Sequence, residues 1–163
     1  NLSNALASLT IADELGLDLS KAVKSLSSFK GVSRRMELLF SNEEIHIYDD
    51  FAHHPTAIKK TIEGLRNRVG SDSIHCLLEM RSNTMSGGFH DQEISSAVEK
   101  ADFVHIFSKN KSQALGIAKK AKNIVAEESV ESFLSKWKKT PGHYVCFSNG
   151  SFDEVHQKLI KLI

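Results

Sequence analysis

From Arg34 onward the chain alternates short apolar runs with amphipathic stretches, and that alternation limits the class of fold open to it. MELLF (36–40) and EIHIYD (44–49) read as strands, with a turn-like break at Ser41-Asn42-Glu43 that suits a hairpin. A helix is expected after Pro55, whose fixed φ suits a first helical position. Then follow SIHCLLE (73–79) as a strand, a helix around 91–100, DFVHIF (102–107) as a strand and a helix around 112–121. NIVA (123–126), a helix over 129–138, HYVCF (143–147) and a closing helix over 152–162 complete the series. Short strands alternating with helices predict a doubly wound α/β sheet. SIHCLLE and HYVCF are nearly continuous apolar runs, as parallel strands buried on both faces should be. The fold class predicted is α/β, doubly wound and mostly parallel, with an initial β-hairpin.

The first 30 residues have a different rhythm. Leu6, Leu9, Ala12, Leu15 and Leu17 fall near a helical spacing, Gly16 suits a C-cap, and Ser20 suits the N-cap of a second short helix. Gly31-Val-Ser breaks the pattern. Such a segment has little to bury itself against alone, and the chain opens on Asn inside a helix. Both features are expected of the helical tail of a missing domain.

Composition excludes little but bounds the partners. The 163 residues suffice for one well-packed domain but not comfortably two. Lys plus Arg number 21 and Asp plus Glu 20, a balance that gives no bulk electrostatic reason for a nucleic-acid or membrane partner. No apolar run approaches the roughly 20 residues of a membrane span. Cys76 and Cys146 lie in strand-like apolar runs at no zinc-binding spacing and are expected to be buried thiols.

In a doubly wound sheet ligands bind beyond the carboxyl ends of the strands. Four polar junctions fall there: 49–56, 79–90, 108–111 and 148–151. The first holds Asp49, Asp50, His53 and His54 just before Pro55. A zinc site needs three or four converging ligands, and neighbouring histidines at a helix start diverge. An Asp-Asp pair after an early strand also suits a phospho-acceptor pocket, but the later strand ends supply no acceptor aspartate. A nucleotide asks for a carboxylate near ribose hydroxyls, an imidazole near phosphates and a helix N-terminus, and Asp50, His54 and Pro55 offer all three. The bland reading is that one histidine simply caps the helix. Nothing matches the P-loop pattern G-x-x-x-x-G-K-[ST], so any ATP site here is half a site. His46, His75 and His105 read as structural strand residues, His90 as a helix start, Arg34 as a surface or interdomain residue and Trp137 as partly buried packing. His156 in the last helix carries no assigned role.

The order Asn1-x-x-Asn4-Ala5, Gly31-x-x-Arg34-Arg35-x-Glu37, Asp50-Phe-Ala-His53-His54-Pro55-Thr56 resembles the Mur ligases. These are ATP-dependent amide-bond-forming enzymes of peptidoglycan synthesis, with a UDP-sugar domain, a central ATPase domain and a C-terminal Rossmann-like domain. The resemblance implies that residues 1–31 are the helical tail of the ATPase domain and 32–163 the C-terminal, peptide-binding domain. It implies ATP and Mg2+ as cofactors, with the P-loop and most magnesium ligands upstream. No catalytic or metal-binding residue is then expected in this stretch, which should be inactive by itself. Asn1 and Asn4 would lie on the adenine side of ATP, Arg35 would reach the nucleotide, Asp50 the ribose and His54 the phosphates. Arg81, Ser82, Asn83 and Thr84 would meet the incoming peptide, with Arg81 on a terminal carboxylate. Ser148 and Asn149 would bind a second carboxylate.

Two further stretches, Glu79-Met-Arg81-Ser82-Asn83-Thr84-Met85 and Ser148-Asn149-Gly150-Ser151-Phe152, narrow the resemblance. They look most like the branch that joins recycled L-alanyl-γ-D-glutamyl-meso-diaminopimelate to UDP-N-acetylmuramate through an acyl phosphate, in the cytoplasm. Met80 stands where that pattern has proline, and Ser86-Gly87-Gly88 where it is more basic. The branch that adds L-alanine shares the Asp-x-x-His-His-Pro-Thr pattern and is the second reading. A stand-alone ligand-binding α/β module is the third.

Overall fold

The structure, a computed structural model, describes residues 2–29 and 31–163. It divides into two compact units, Asn1–Val32 and Ser33–Ile163. In the first, α1 (Leu2–Glu14) packs on α2 (Leu19–Ser28). Gly16 ends α1 at φ +67°, with its N–H bonded to the Asp13 carbonyl and the Leu17 N–H to the Ala12 carbonyl. That pair of bonds is a left-handed helix stop, which glycine adopts without a Cβ penalty. The N-cap of α2 is Asp18, whose carboxylate accepts from the Lys21 N–H at 3.1 Å, and not Ser20 as the sequence suggested. Ser20 lies inside the helix because Asp18 caps the exposed amides two residues earlier than a cap at Ser20 would. Among the described residues of this unit only Ala12 is buried, and Leu2, Leu6, Ile11, Leu15 and Leu17 are each more than half exposed.

The second unit runs β1 (Glu37–Ser41), β2 (Ile45–Asp50), α3 (Pro55–Val69), β3 (Ile74–Glu79), α4 (Asn83–Ser86), α5 (Asp91–Ala97) and β4 (Phe103–Phe107). It continues with α6 (Lys111–Ala118), β5 (Ile124–Glu127), α7 (Val130–Lys136), β6 (Gly142–Phe147), a 3-10 turn at Phe152–Glu154 and α8 (Val155–Leu162). The six strands lie in the order β1-β2-β6-β3-β4-β5, with β1 antiparallel to β2 and all other neighbours parallel. The β1–β2 turn is closed by Asn42, whose Oδ1 accepts from the Glu44 and Ile45 amides. The last strand is therefore the central one, and every residue of β6 is buried.

The two faces of the sheet carry separate cores. Ile58, Ile62 and Leu65 of α3, Ile94 and Ala97 of α5 and Ile117 of α6 pack on one face. Val130 and Phe133 of α7 with Val155 and Leu159 of α8 pack on the other. So β2 hands the chain to a helix on one face, while its neighbour β6 hands it to a helix on the opposite face. Between such strands no connection covers the carboxyl ends, and a crevice opens. The same holds between β6 and β3.

The structure differs from the sequence reading at helix ends. The expected helix over 152–162 is broken: Phe152, Asp153 and Glu154 all have φ between 45° and 53°, and α8 starts at Val155. Burial of Phe152 against Phe107, with ring centroids 5.0 Å apart, fixes this turn against local helix preference. The short α4 is absent from the sequence reading, and the helices expected over 91–100, 112–121 and 129–138 are trimmed. Cys76 and Cys146 are buried thiols, and desolvation pushes both well above the ordinary thiol range, which makes them poor nucleophiles. No helix among the described residues is long and apolar enough to cross a membrane.

Candidate functional site

The polar groups at the carboxyl ends of β2, β6 and β3 form one connected cluster. Asp50 ends β2 with one carboxylate oxygen accepting from the Met36 N–H at 2.9 Å and the other from the Ala52 N–H at 2.8 Å. Burial pushes its carboxyl up from the ordinary range, opposed by those two amide donors, by which the ionised form is favoured. Arg35 is exposed, and its charge also favours ionised Asp50. Asp50 thus shapes the loop between β2 and α3.

His54 caps α3, its Nδ1 accepting from the Thr56 N–H at 3.3 Å. An Nδ1 that accepts a hydrogen bond carries no proton, so the neutral ring holds its proton on Nε2. That Nε2–H, on an exposed ring at the start of a 15-residue helix, is a donor suited to an anion. Capping and ligand binding therefore use opposite edges of one imidazole. His53 is turned back, donating from Nδ1 to the Phe51 carbonyl at 2.9 Å. His90 stands at the start of α5 without a side-chain cap bond, its ring edge-on to His54 at 4.6 Å.

Ser148, at 1 % exposure, is wired into the fold. Its hydroxyl bonds Glu79 at the end of β3 and accepts from the Gly150 N–H at 2.8 Å, while its own N–H reaches the Asp50 carbonyl at 3.1 Å. A hydroxyl has one proton, and Glu79 takes it. Asn149 is half-buried, and its Oδ1 has no hydrogen-bond partner among the described residues. Arg81 is exposed and lies across Gly150: a Cβ added there would sit 2.2 Å from its Nη1 and 2.7 Å from Cζ. The cation of β3 is thus laid against the loop of β6. Ser82 caps α4 by accepting from the Met85 N–H at 3.3 Å, and Asn83 and Thr84 are exposed.

Two groups to which the sequence reading gave no part in the site hold this edge together. Arg34, there a surface or interdomain residue, is half-buried and donates from Nε to Asp49 at 2.9 Å, and from Nη2 to the Ser148 and Gly150 carbonyls at 2.7 and 2.8 Å. Its backbone has φ +56° and is held by Glu37, which accepts from the Arg34 N–H at 2.7 Å. Gln113, buried in α6, donates to the Met85 carbonyl at 2.5 Å and to Asp91 at 2.7 Å, and accepts from Ser108 at 3.0 Å. It ties the 81–91 loop to the β4–α6 junction. A polar residue on the apolar face of a short helix is the one sequence signal for it. We expect Gln113→Ala to cost about 1–3 kcal/mol, because it leaves buried acceptors unpaired. Hydrogen exchange should quicken over 82–91 before the sheet responds, and unchanged protection there would refute the anchor.

The expected site residues are thus only partly brought together. Asp50, His54, Arg81, Ser148 and Asn149 share the carboxyl edge of the sheet, and Arg35 lies close enough to act on Asp50. Asn4 is in α1 of the other unit, exposed, its carbonyl accepting from Ser8 Oγ. Asn1 lies outside the described residues.

The model for the family "Mur ligase, glutamate ligase domain" matches residues 34–148. The UDP-N-acetylmuramate–L-alanyl-γ-D-glutamyl-meso-2,6-diaminoheptandioate ligase of Haemophilus influenzae is 36% identical over 168 residues, 98% of this chain and 37% of that protein. The ligase of the same name from Escherichia coli is 33% identical over 98% of this chain and 36% of its own length. The crystal structure of a murein peptide ligase from Psychrobacter arcticus superposes with a TM-score of 0.71 at 30% identity, covering 98% of this chain and 36% of that one. The chain therefore spans a little over a third of each of these relatives. With the mostly parallel sheet and a family match across most of its length, the chain belongs to the Mur ligases, as their C-terminal domain.

Proposed function

We propose that this chain is the peptide-binding domain of an ATP-dependent ligase that joins L-alanyl-γ-D-glutamyl-meso-diaminopimelate to UDP-N-acetylmuramate in the cytoplasm. The observation that carries this reading is the 36% identity, over 98% of the chain, to a ligase named for that reaction. Residues 1–31 would then be the tail of the ATPase domain and 32–163 the peptide-binding domain.

The residues present suit one side of a nucleotide. The Nε2–H of His54 would face phosphate, the remaining lone pairs of Asp50 the ribose, and Arg35 would add a cation, with Asn1 and Asn4 on the adenine side. ATP supplies the activation of the muramate carboxylate that makes amide formation favourable. On this reading most magnesium ligands lie upstream, and the metal would offset the charge of the phosphates. The part played by this domain is positioning: it holds the peptide so that its free amine meets the activated carbonyl.

Arg81 takes a peptide carboxylate on this reading, bordered by Ser82, Asn83 and Thr84. The buried hydroxyl of Ser148 is bonded to Glu79, so the Ser148–Asn149 turn would serve through its backbone and the Asn149 amide. In the full-length ligase, Arg81→Ala should raise the KM for the tripeptide at least about tenfold while the KM for ATP changes less than about twofold. An unchanged peptide KM would remove Arg81 from this role. Offering the tripeptide and L-alanine separately tests the substrate class, and turnover of L-alanine alone would overturn it.

A further inference from the structure

Arg34 stands out because three groups from two strand ends converge on one guanidinium. Nε reaches the Asp49 carboxylate of β2, while Nη2 reaches the carbonyls of Ser148 and Gly150 beyond β6, at 2.7–2.9 Å. The Phe51 ring covers the same guanidinium, with Cζ 5.0 Å from its centroid. Around it the backbone is held from both sides: Glu37 accepts from the Arg34 N–H, and the Arg34 carbonyl accepts from the Phe51 N–H at 2.8 Å. A left-handed backbone at a non-glycine residue persists only where its surroundings over-determine it.

The far end of this arrangement is the feature that gives it meaning. The same Gly150 whose carbonyl Arg34 holds presents its bare α-carbon to the Arg81 guanidinium, so closely that a Cβ there would push that guanidinium aside. Glu79 and Ser148 close the loop from the β3 side. The 148–150 turn is therefore gripped on one side by Arg34 and forms, on the other, the floor on which Arg81 rests.

We infer that Arg34 is a positioning residue for peptide recognition, setting the place of Arg81 through the backbone of Ser148–Gly150. The inference rests on the assignment of Arg81 to a peptide carboxylate. Arginine is required because its planar fork serves a carboxylate and two carbonyls at once, whereas a lysine ammonium can keep the charge pair but not the whole pattern. A displaced turn moves the cation that meets the substrate, and small displacements of binding groups are amplified in rate and affinity.

The test is a double-mutant cycle in the full-length ligase, read as the KM for the tripeptide. Arg34→Ala should raise that KM by about tenfold with the KM for UDP-N-acetylmuramate unchanged, and Arg34→Lys should recover part of the loss. Gly150→Ala, which leaves Arg34 untouched, should raise it as well. In an Arg81→Ala background, Arg34→Ala should have little further effect, because the residue through which it acts is gone. Additive effects of Arg34→Ala and Arg81→Ala, or equal losses in every kinetic constant, would overturn the inference and leave Arg34 as scaffold. If Arg81→Ala alone leaves the peptide KM unchanged, the assignment of Arg81 fails instead, and the two failures are told apart. If Arg34→Ala does not fold, the Arg34→Lys and Gly150→Ala variants carry the same cycle with Arg81→Ala.

Discussion

Gly142→Ala should lower the melting temperature of this domain by roughly 6–12 °C, the shift expected for a loss of about 3 kcal/mol in a chain of this size. Gly142 opens the central strand β6 at φ +146°, outside the range that side chains tolerate. A Cβ there would lie 2.6 Å from the Ser73 carbonyl oxygen, a clash, and 3.0 Å from the His75 ring, a tight contact. Neither can simply step aside. Ser73 O accepts from the His143 N–H at 2.8 Å and so sets the β6–β3 pairing, and His75 is stacked between Tyr144 and Phe103 at centroid distances of 4.2 and 4.7 Å. The Gly142 N–H bonds the Glu44 carbonyl ahead of β2 at 2.9 Å, so relief by backbone rotation would disturb the other neighbour of β6. Thermal unfolding of Gly142→Ala beside a surface control such as Lys138→Ala gives the measurement, and a melting point within two or three degrees of the parent, less than about 1 kcal/mol, would show that the strand entry relaxes freely.

Acid should destabilise the domain through the same histidine. Burial among aromatic rings holds His75 down from its ordinary value of 6.5 to about 4, the desolvation being reinforced by the His105 charge and opposed by the Pro141 carbonyl and by Asp102. His75 is 5 % exposed, and its Nε2 has no hydrogen-bond partner among the described residues. The sign follows from proton counts. Between about pH 6.5 and 4 the unfolded chain binds a proton at this ring that the folded chain refuses, so stability falls as pH falls through that window and levels off below it. The contribution is of the order of 3 kcal/mol, full above pH 6.5. Urea unfolding at intervals from pH 7.5 to 4 should show the decline, and proton resonances of the His75 ring should not titrate above pH 5. A titration midpoint near 6.5 would refute it.

The α/β alternation, the hairpin and the helix beginning at Pro55 were legible because each depends on neighbours in sequence: apolar periodicity, a turn triplet and a proline with its preceding cap. Asp50 and His54 were legible for the same reason, being the last residue of a strand and the cap of the next helix. Ser20 misled because two cap residues, Asp18 and Ser20, stand two positions apart and compete for one set of amides, a choice too small in energy for sequence to decide. The helix over 152–162 failed because Phe152 reaches its place beside Phe107 only once two distant strands are assembled.

Strand order lay beyond the sequence altogether. Nothing in HYVCF distinguishes a strand inserted between β2 and β3 from one added at an edge, since a buried parallel run looks the same in either place. Yet that insertion brings the 148–150 turn beside Asp49 and Arg81, and the Arg34 contacts to it span 114 and 116 residues. The sequence by itself determined the alternation of strands and helices and the polar junction between β2 and α3, because those are local properties of the chain. Only the tertiary structure decided that Arg34 grips the floor beneath Arg81, that the Ser148 hydroxyl is bonded to Glu79, and that Gln113 anchors the loop between. Each of those depends on hydrogen-bonding groups meeting across the sheet, and no periodicity records which distant carbonyl a side chain will find.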